Sequence, residues 1–322
     1  MGHREEALGL VASAWLADHL TGPLVPERFT VSFDARPPTD LERRAAPRRR
    51  PVQSRHVSAL VLVYVGLGAL GPVFAWLEGS GPPPRRSVRL DALYWLLTPL
   101  LTGVLTRGLV VGLTVVALVL AGEPATPAGA LERLAAIDPL GLRVLPRPVL
   151  AVVALLALDL LSYVSHRVRH AVPLLAALHT VHHAPADLDW RAAARMHPLD
   201  DLVDNAFVFF PLLALGVPAA WVLLAGPLLL LHTIYLHARL PLSLGPLDGL
   251  VATPAFHRAH HAAVGPIGNF GGLLSVWDRV FGTARPPSSA VATGLPARLA
   301  LRETLLDQFV TPLVRWWTDR RS

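Results

Sequence analysis

Eleven of the fourteen histidines in this 322-residue chain fall between His166 and His261, grouped at the spacing of a helical turn. They run as His166 and His170, then His179, His182 and His183, then His197 alone, then His232 and His237, then His257, His260 and His261. On a helix, residues three and four apart share a face. HxxxH therefore sets His166 and His170 on one stripe, and each HxxHH sets its three imidazoles on one stripe. A fold that keeps this pattern turns three such stripes inward around a pair of metal ions. A lone histidine in an apolar chain is ordinarily a satisfied core or interface residue. The repetition departs from that reading, and His3, His19 and His56, which lie outside the field, read as surface residues.

The segments between the histidines are too apolar for an ordinary soluble domain. The chain is 52% hydrophobic and 16% charged, with mean hydropathy +0.46, and reads as an integral membrane protein. Its basic residues are all arginine and its net charge is +6, which suits nucleic acid or an anionic membrane surface. The apolar runs decide for the membrane, and no nucleic-acid-reading motif is present. With no cysteine, disulfides, thiolate-bound haem, cysteine-held iron–sulfur clusters and Cys/His zinc fingers are all excluded. Any metal must be held by His, Asp, Glu or backbone.

Four regions follow in order. Residues 1–56 are a polar segment, with an amphipathic helix over 5–20 and a Pro/Arg linker from Arg36 to Arg55, and they carry no secretory signal. Residues 57–147 hold the first membrane helices: a span at 57–77 and an apolar block at 90–121 interrupted by Arg107-Gly108, long for one span and short for two. After it, 122–147 reads as a loop with an interfacial helix. Residues 148–285 carry the histidines, with an apolar helix over 148–164 and a membrane hairpin at 207–236 turning at Gly216-Val217-Pro218. Residues 286–322 form an amphipathic tail whose Trp316 and Trp317 suit a headgroup interface. The expected fold is all-α: an integral membrane helical bundle with a histidine-rich helical cap on the cytoplasmic side. Arginine placement favours that side for both the N-terminus and the histidines, which would make 90–121 a hairpin or re-entrant element.

Neutral imidazole serves iron, zinc and copper alike, so ligand type alone names no metal. Structural zinc is satisfied by four ligands, and roughly ten imidazoles suit two metals better than one. A nitrogen-lined two-metal site with open positions suits O2 chemistry on a C–H bond, shielded from water beside an apolar substrate. His232 and His237 are five residues apart, about 140° around a helix, so at most one of them reaches the site. Asp159 lies seven residues before His166 on the same face and is placed to accept a ring N–H from a ligand histidine. Asp187, Asp189, Asp200, Asp201 and Asp204 offer the same service, though most read as solvated loop carboxylates. Asn269 and Asp278 read as caps or staples of the last histidine group.

These residues carry a resemblance. Asp159-Leu-Leu-Ser-Tyr163-Val-Ser-His166-Arg167-Val-Arg-His170 and His179-Thr-Val-His182-His183 are similar to the first two histidine boxes of the membrane-bound fatty acid hydroxylase and sterol desaturase superfamily. Arg195-Met-His197-Pro198 resembles its intervening RxHP element, and Thr253-Pro254-Ala-Phe-His257-Arg258-Ala-His260-His261 its last box. Asn269-Phe270-Gly271, followed by Trp277-Asp278-Arg279-Val-Phe281-Gly282-Thr283, looks like its closing signature. The resemblance covers roughly 150–285. It implies a non-haem diiron oxygenase, with zinc as a possible substitute, acting on a fatty acyl or sterol-like lipid by hydroxylation or desaturation. The ligands it implies are His166, His170, His179, His182, His183, His197, His237, His257, His260 and His261. Departures include Arg239, where the family often has Asn, and Ala184 and Ala262, where it often has Ser after HxxHH.

Each turnover of such an enzyme needs two electrons. The chain has neither a GxGxxG loop for a flavin or nicotinamide nor an evident haem module, so a separate electron-donor protein is expected. Carotenoid hydroxylation and ether-lipid cleavage are alternative outcomes on the same site. A histidine-rich metal transporter is the non-enzymatic alternative. Nothing in the sequence fixes the oligomeric state.

Overall fold

The computed structural model describes residues 70–78, 85–120, 136–240 and 242–320, with single positions at 122, 126 and 133 between them. The expected helix at 5–20, the arginine linker and most of the 57–77 span lie outside the described residues. Among those described there are nine α-helices and no strand, only two isolated β-bridges. We number the helices α1 (Gly71–Glu78), α2 (Arg85–Leu120), α3 (Arg147–Ala171), α4 (Pro173–His183), α5 (Pro198–Ala214), α6 (Ala219–His237), α7 (Pro254–His260), α8 (Val276–Val280) and α9 (Leu305–Asp319).

The block at 90–121 is one helix and not a hairpin: α2 runs unbroken for 36 residues through Arg107-Gly108. At 1.5 Å per residue that is about 54 Å, well beyond the ~30 Å hydrocarbon core of a bilayer. Among the described residues two segments are long and apolar enough to cross a membrane, Val88–Leu120 and Arg147–Ala171. On α2 the apolar side chains Leu96, Leu100, Val104 and Val116 are more than half exposed. A helix at the core of a soluble protein would bury them.

Helices α3, α5 and α6 pack through Ala154 and Leu158, Val208 and Leu212, and Val217 and Val222. The α5–α6 connection turns at Gly216, whose φ of 92° is open to glycine at no steric cost. Helix α2 lies along α5, and α9 lies on α4. Between α3 and α4 the chain turns on Val172 alone, which is extended (φ −90°, ψ 119°) and is followed by Pro173 in the first turn of α4. Proline is well placed there because its missing N–H has no intrahelical partner to lose. This one-residue corner aims the histidine faces of α3 and α4 at each other.

Candidate metal centre

Nine of the ten histidines on α3, α4, α6 and α7 and at the end of α7 form two groups, each with its candidate ligand atoms within 4.8 Å of one another. One contains His166, His170, His179, His183 and His260, and the other His182, His237, His257 and His261. The HxxHH boxes are shared reciprocally between them. On α4 the i, i+4 pair His179 and His183 faces the first group, while His182 faces the second. At α7 the i, i+4 pair His257 and His261 faces the second group, and His260 faces the first. A single helical stripe is thus split between neighbouring positions. His183 and His261 stack across the divide, with ring centroids 4.3 Å apart.

The ring nitrogens show which atom each histidine leaves free. His166 Nδ1 donates to Phe270 O at 2.9 Å, His260 Nδ1 to Gly268 O at 2.7 Å, and His179 Nδ1 to Asp200 Oδ2 at 2.8 Å. In the second group His182 Nδ1 donates to Arg195 O at 3.2 Å and His237 Nδ1 to Thr233 O at 2.8 Å. With the proton fixed on Nδ1, the lone pair sits on Nε2. The Nε2 atoms of His166, His170, His179, His183 and His260 are buried without any hydrogen-bond partner in the protein. Five converging lone pairs would repel one another and lack solvation, whereas a cation among them satisfies all five. In the second group His257 Nε2 lies 3.3 Å from His237 Nε2 and 3.1 Å from His261 Nε2. One proton on His257 cannot serve both neighbours, so this group also fits a cation.

Burial reinforces the neutral state these ligands need. The imidazoles of His179, His182, His183, His257 and His261 are pushed well below the usual histidine range, first by burial and then by their charged neighbours. His260 is lowered to about 4 by burial, against the opposing bond to Gly268. All of them are left neutral at pH 7, the form in which an imidazole can bind a metal.

His197 stands apart from both groups and has no nitrogen to spare. Its Nδ1 accepts from Leu199 N at 3.1 Å, capping α5, and its Nε2 donates to Phe309 O at 3.0 Å. It joins α5 to α9. His232 also lies outside both groups, beside Tyr235 on α6. Asp159 touches no histidine: its carboxylate accepts from Leu273 N, Leu274 N and Trp277 Nε1. The expected service to a ligand histidine fails because the 273–277 loop lies over its face of α3 first. Asp278 accepts from Phe270 N, Gly271 N and Thr283 Oγ1. Asn269, at φ 58°, donates to Phe256 O and accepts from Arg285 N. All three hold the loop whose carbonyls at Gly268 and Phe270 orient His260 and His166, so they position the ligands through the backbone.

Asp200 is the carboxylate that does meet a ligand, and it is fully buried. Burial lifts its carboxyl to about 7 despite the opposing pull of the neighbouring Arg169 guanidinium. Arg169 Nη1 lies 3.3 Å from Asp200 and Nη2 lies 3.3 Å from Asp204. Arg169 Nη1 is also 3.2 Å from His179 Nδ1. That nitrogen cannot accept from Arg169 while donating to Asp200, and we assign the shorter contact as the bond because it leaves Nε2 bare. Arg195, 1% exposed, pairs with Asp91 of α2 at 2.6 Å and presents its carbonyl to His182. Arg239 links Glu78 of α1 to Asp187 and Asp189. Histidine spacing singles out neither Arg169 nor Arg195 as a support of the ligands. An arginine inside an apolar helix needs a buried partner, and that is the available signal for Arg169.

Nine imidazoles in two groups, most of them buried, borne on a bundle with exposed apolar helices, define a histidine-box protein with two sites that could hold metal. Residues 151–283, the stretch that bears all nine histidines, match the family model for fatty acid hydroxylase, and that part of the chain belongs to the fatty acid hydroxylase and sterol desaturase superfamily. It is 34% identical to alkylglycerol monooxygenase of Danio rerio over 145 residues, 44% of this chain and 32% of that protein. It is 30% identical to an ornithine lipid hydroxylase of Rhizobium tropici over 155 residues, 48% of this chain and 47% of that protein. With methylsterol monooxygenase 1 of Gallus gallus it shares 30% identity over 131 residues, 39% of this chain and 42% of the relative. The chain thus spans between a third and a half of the length of these relatives. No solved structure matches it significantly.

Proposed function

We propose that this protein is a membrane-embedded, O2-dependent lipid monooxygenase that hydroxylates a C–H bond, with two iron ions held by the nine histidines and electrons delivered by a separate protein. The observation that carries this reading is the set of convergent, buried Nε2 atoms in two adjoining groups. Iron bound there supplies reductive activation of O2 for attack on an unactivated carbon. The protein's own part is to keep the imidazoles neutral, fix His166, His179, His182, His237 and His260 through their Nδ1 bonds and exclude water from the cage. Rings fixed in this way suit a resident ion better than a transported one.

The names of the three relatives all describe insertion of oxygen into a lipid, which favours hydroxylation over desaturation. The similarity to alkylglycerol monooxygenase supports a second reading, oxidation beside an ether oxygen, where the hydroxylated product would fall apart into an aldehyde and an alcohol. The arginines beside the histidine boxes, Arg167, Arg191 and Arg258 among them, support a cytoplasmic placement. The test is lipid profiling under 18O2 of cells carrying the native chain or His261→Ala. A labelled hydroxyl that needs His261 supports hydroxylation, and an ether lipid lost in favour of labelled aldehyde supports the second reading. A new double bond without label would refute both.

A further inference from the structure

The amphipathic C-terminal helix α9 buries one face and leaves the opposite one bare. Its inner side carries Leu305, Gln308, Phe309 and Pro312. Leu305 and Phe309 pack on Leu90, Tyr94 and Val181. On the outer side Leu306 is 76% exposed, Val310 45%, Val314 52% and Trp317 52%. At 100° per residue these four fall within an arc of about 80°. A contiguous apolar stripe rimmed by polar residues marks a contact surface.

Its place in the fold identifies what covers it. Tyr94 donates to Gln308 at 2.8 Å and its ring meets Phe309 edge-on. These contacts sew α9 to the first turns of α2, where the apolar segment Val88–Leu120 begins. The stripe therefore lies at the level where that span enters the bilayer. From Leu306 to Trp317 it is roughly 17 Å long, too short to cross a ~30 Å core. Beside it stand Arg315, whose guanidinium donates to the Leu299 and Ala300 carbonyls, and Arg320, whose guanidinium lies over Trp316 at 4.8 Å. Between α4 and α9 a cavity of about 260 Å³ opens with Thr180, Arg315 and Arg320 on its walls. Guanidinium groups beside an aromatic pair match the anionic headgroup layer.

We infer that α9 lies in the plane of the membrane, its Leu306–Val310–Val314–Trp317 stripe immersed at the boundary between headgroups and acyl chains. The inference rests on reading α2 as a bilayer span, and is independent of the reaction catalysed. Because α9 packs on α4 and its Phe309 carbonyl holds His197, the immersed helix sets the height of three ligand histidines above the acyl chains.

The chain has no cysteine, so a single introduced one can be spin-labelled uniquely. The experiment uses the full chain in vesicles of equimolar phosphatidylcholine and phosphatidylglycerol, with Val310→Cys and Val314→Cys as probes, Glu303→Cys as a polar control and Leu100→Cys as a span control. Native metal content certifies that each variant is folded. Nitroxides at 310 and 314 should show an oxygen-to-nickel-chelate accessibility ratio several-fold above that at 303, approaching that at 100. A lipid signal at 100 with an aqueous one at 310 and 314 would overturn the inference and leave the membrane reading standing. An aqueous signal at all four would overturn both. Spin–spin broadening at 310 would also overturn it, showing a second copy of the chain on the stripe.

Discussion

His179 donates its Nδ1 proton to Asp200 at 2.8 Å, the one bond by which a carboxylate reaches a histidine of either metal group. Every other Nδ1 bond given above for a histidine of either group ends on a backbone carbonyl. Replacing a partner of this kind costs a metal site about 10–100-fold in affinity. Asp200→Asn should show a loss of that size in chelator competition, confined to the five-histidine position, with spectra of bound Co(II) altered there and unchanged at the other.

The two groups should tolerate loss of a ligand unequally. His170→Ala leaves four imidazoles in the first group, still a full tetrahedral set, whereas His237→Ala leaves three in the second. Elemental analysis of purified protein should find near-native metal in His170→Ala and about half in His237→Ala, since a three-donor site holds its ion poorly. Equal losses in the two variants would contradict the division into groups.

Acid should unfold the metal-free protein earlier than its carboxylates alone would require. In the folded state His260 titrates at about 4, lowered by burial, against an ordinary 6.5. Between these values the unfolded chain binds the proton and the folded one does not, so stability rises with pH across that window. It is complete above about pH 6.5 and is lost as the pH falls toward 4. Denaturant melts of chelator-treated protein should show the midpoint dropping from pH 6.5 downward, and bound metal should displace the drop to lower pH.

Asp159 offers a test of stapling against direct action on a ligand. Its carboxylate receives three donors from the 273–277 segment, and leaving buried donors unpaired costs about 1–3 kcal/mol each. Asp159→Ala should lower unfolding stability by several kcal/mol, the sum of roughly that cost over three donors. Gly271→Ala should weaken the same loop, because a Cβ there would strike the carbonyl oxygen of Leu274. In both variants the metal affinity of folded protein should change less than in Asp200→Asn.

Helical spacing made the histidine boxes legible, because i, i+3 and i+4 relations follow from backbone geometry whatever the tertiary context. The split of each HxxHH box between the two histidine groups was not legible. Spacing names a face, and an 11-residue helix such as α4 can meet two partners across one face. The acceptors at Phe270, Gly268, Thr233 and Arg195 are carbonyl oxygens, which no residue type announces. His197 sat in a convincing motif, yet the backbone of Leu199 and Phe309 claimed both its nitrogens. The break expected at Arg107-Gly108 did not occur, since one interior glycine costs a helix only about 1 kcal/mol.

The crosswise sharing of α4 and α7 would make metallation of the second group a checkpoint on folding. That group cannot be completed by residues local in sequence: it needs His182 from before Ala184 and His257 and His261 from after Thr253 in place together, whereas α3 and α4 alone bring four rings to the first. A chain that has threaded its helices but not docked the last histidine segment offers only a partial, weak second site. Ion capture would then report that docking is complete, and a reactive metal would be held only once its enclosure had closed.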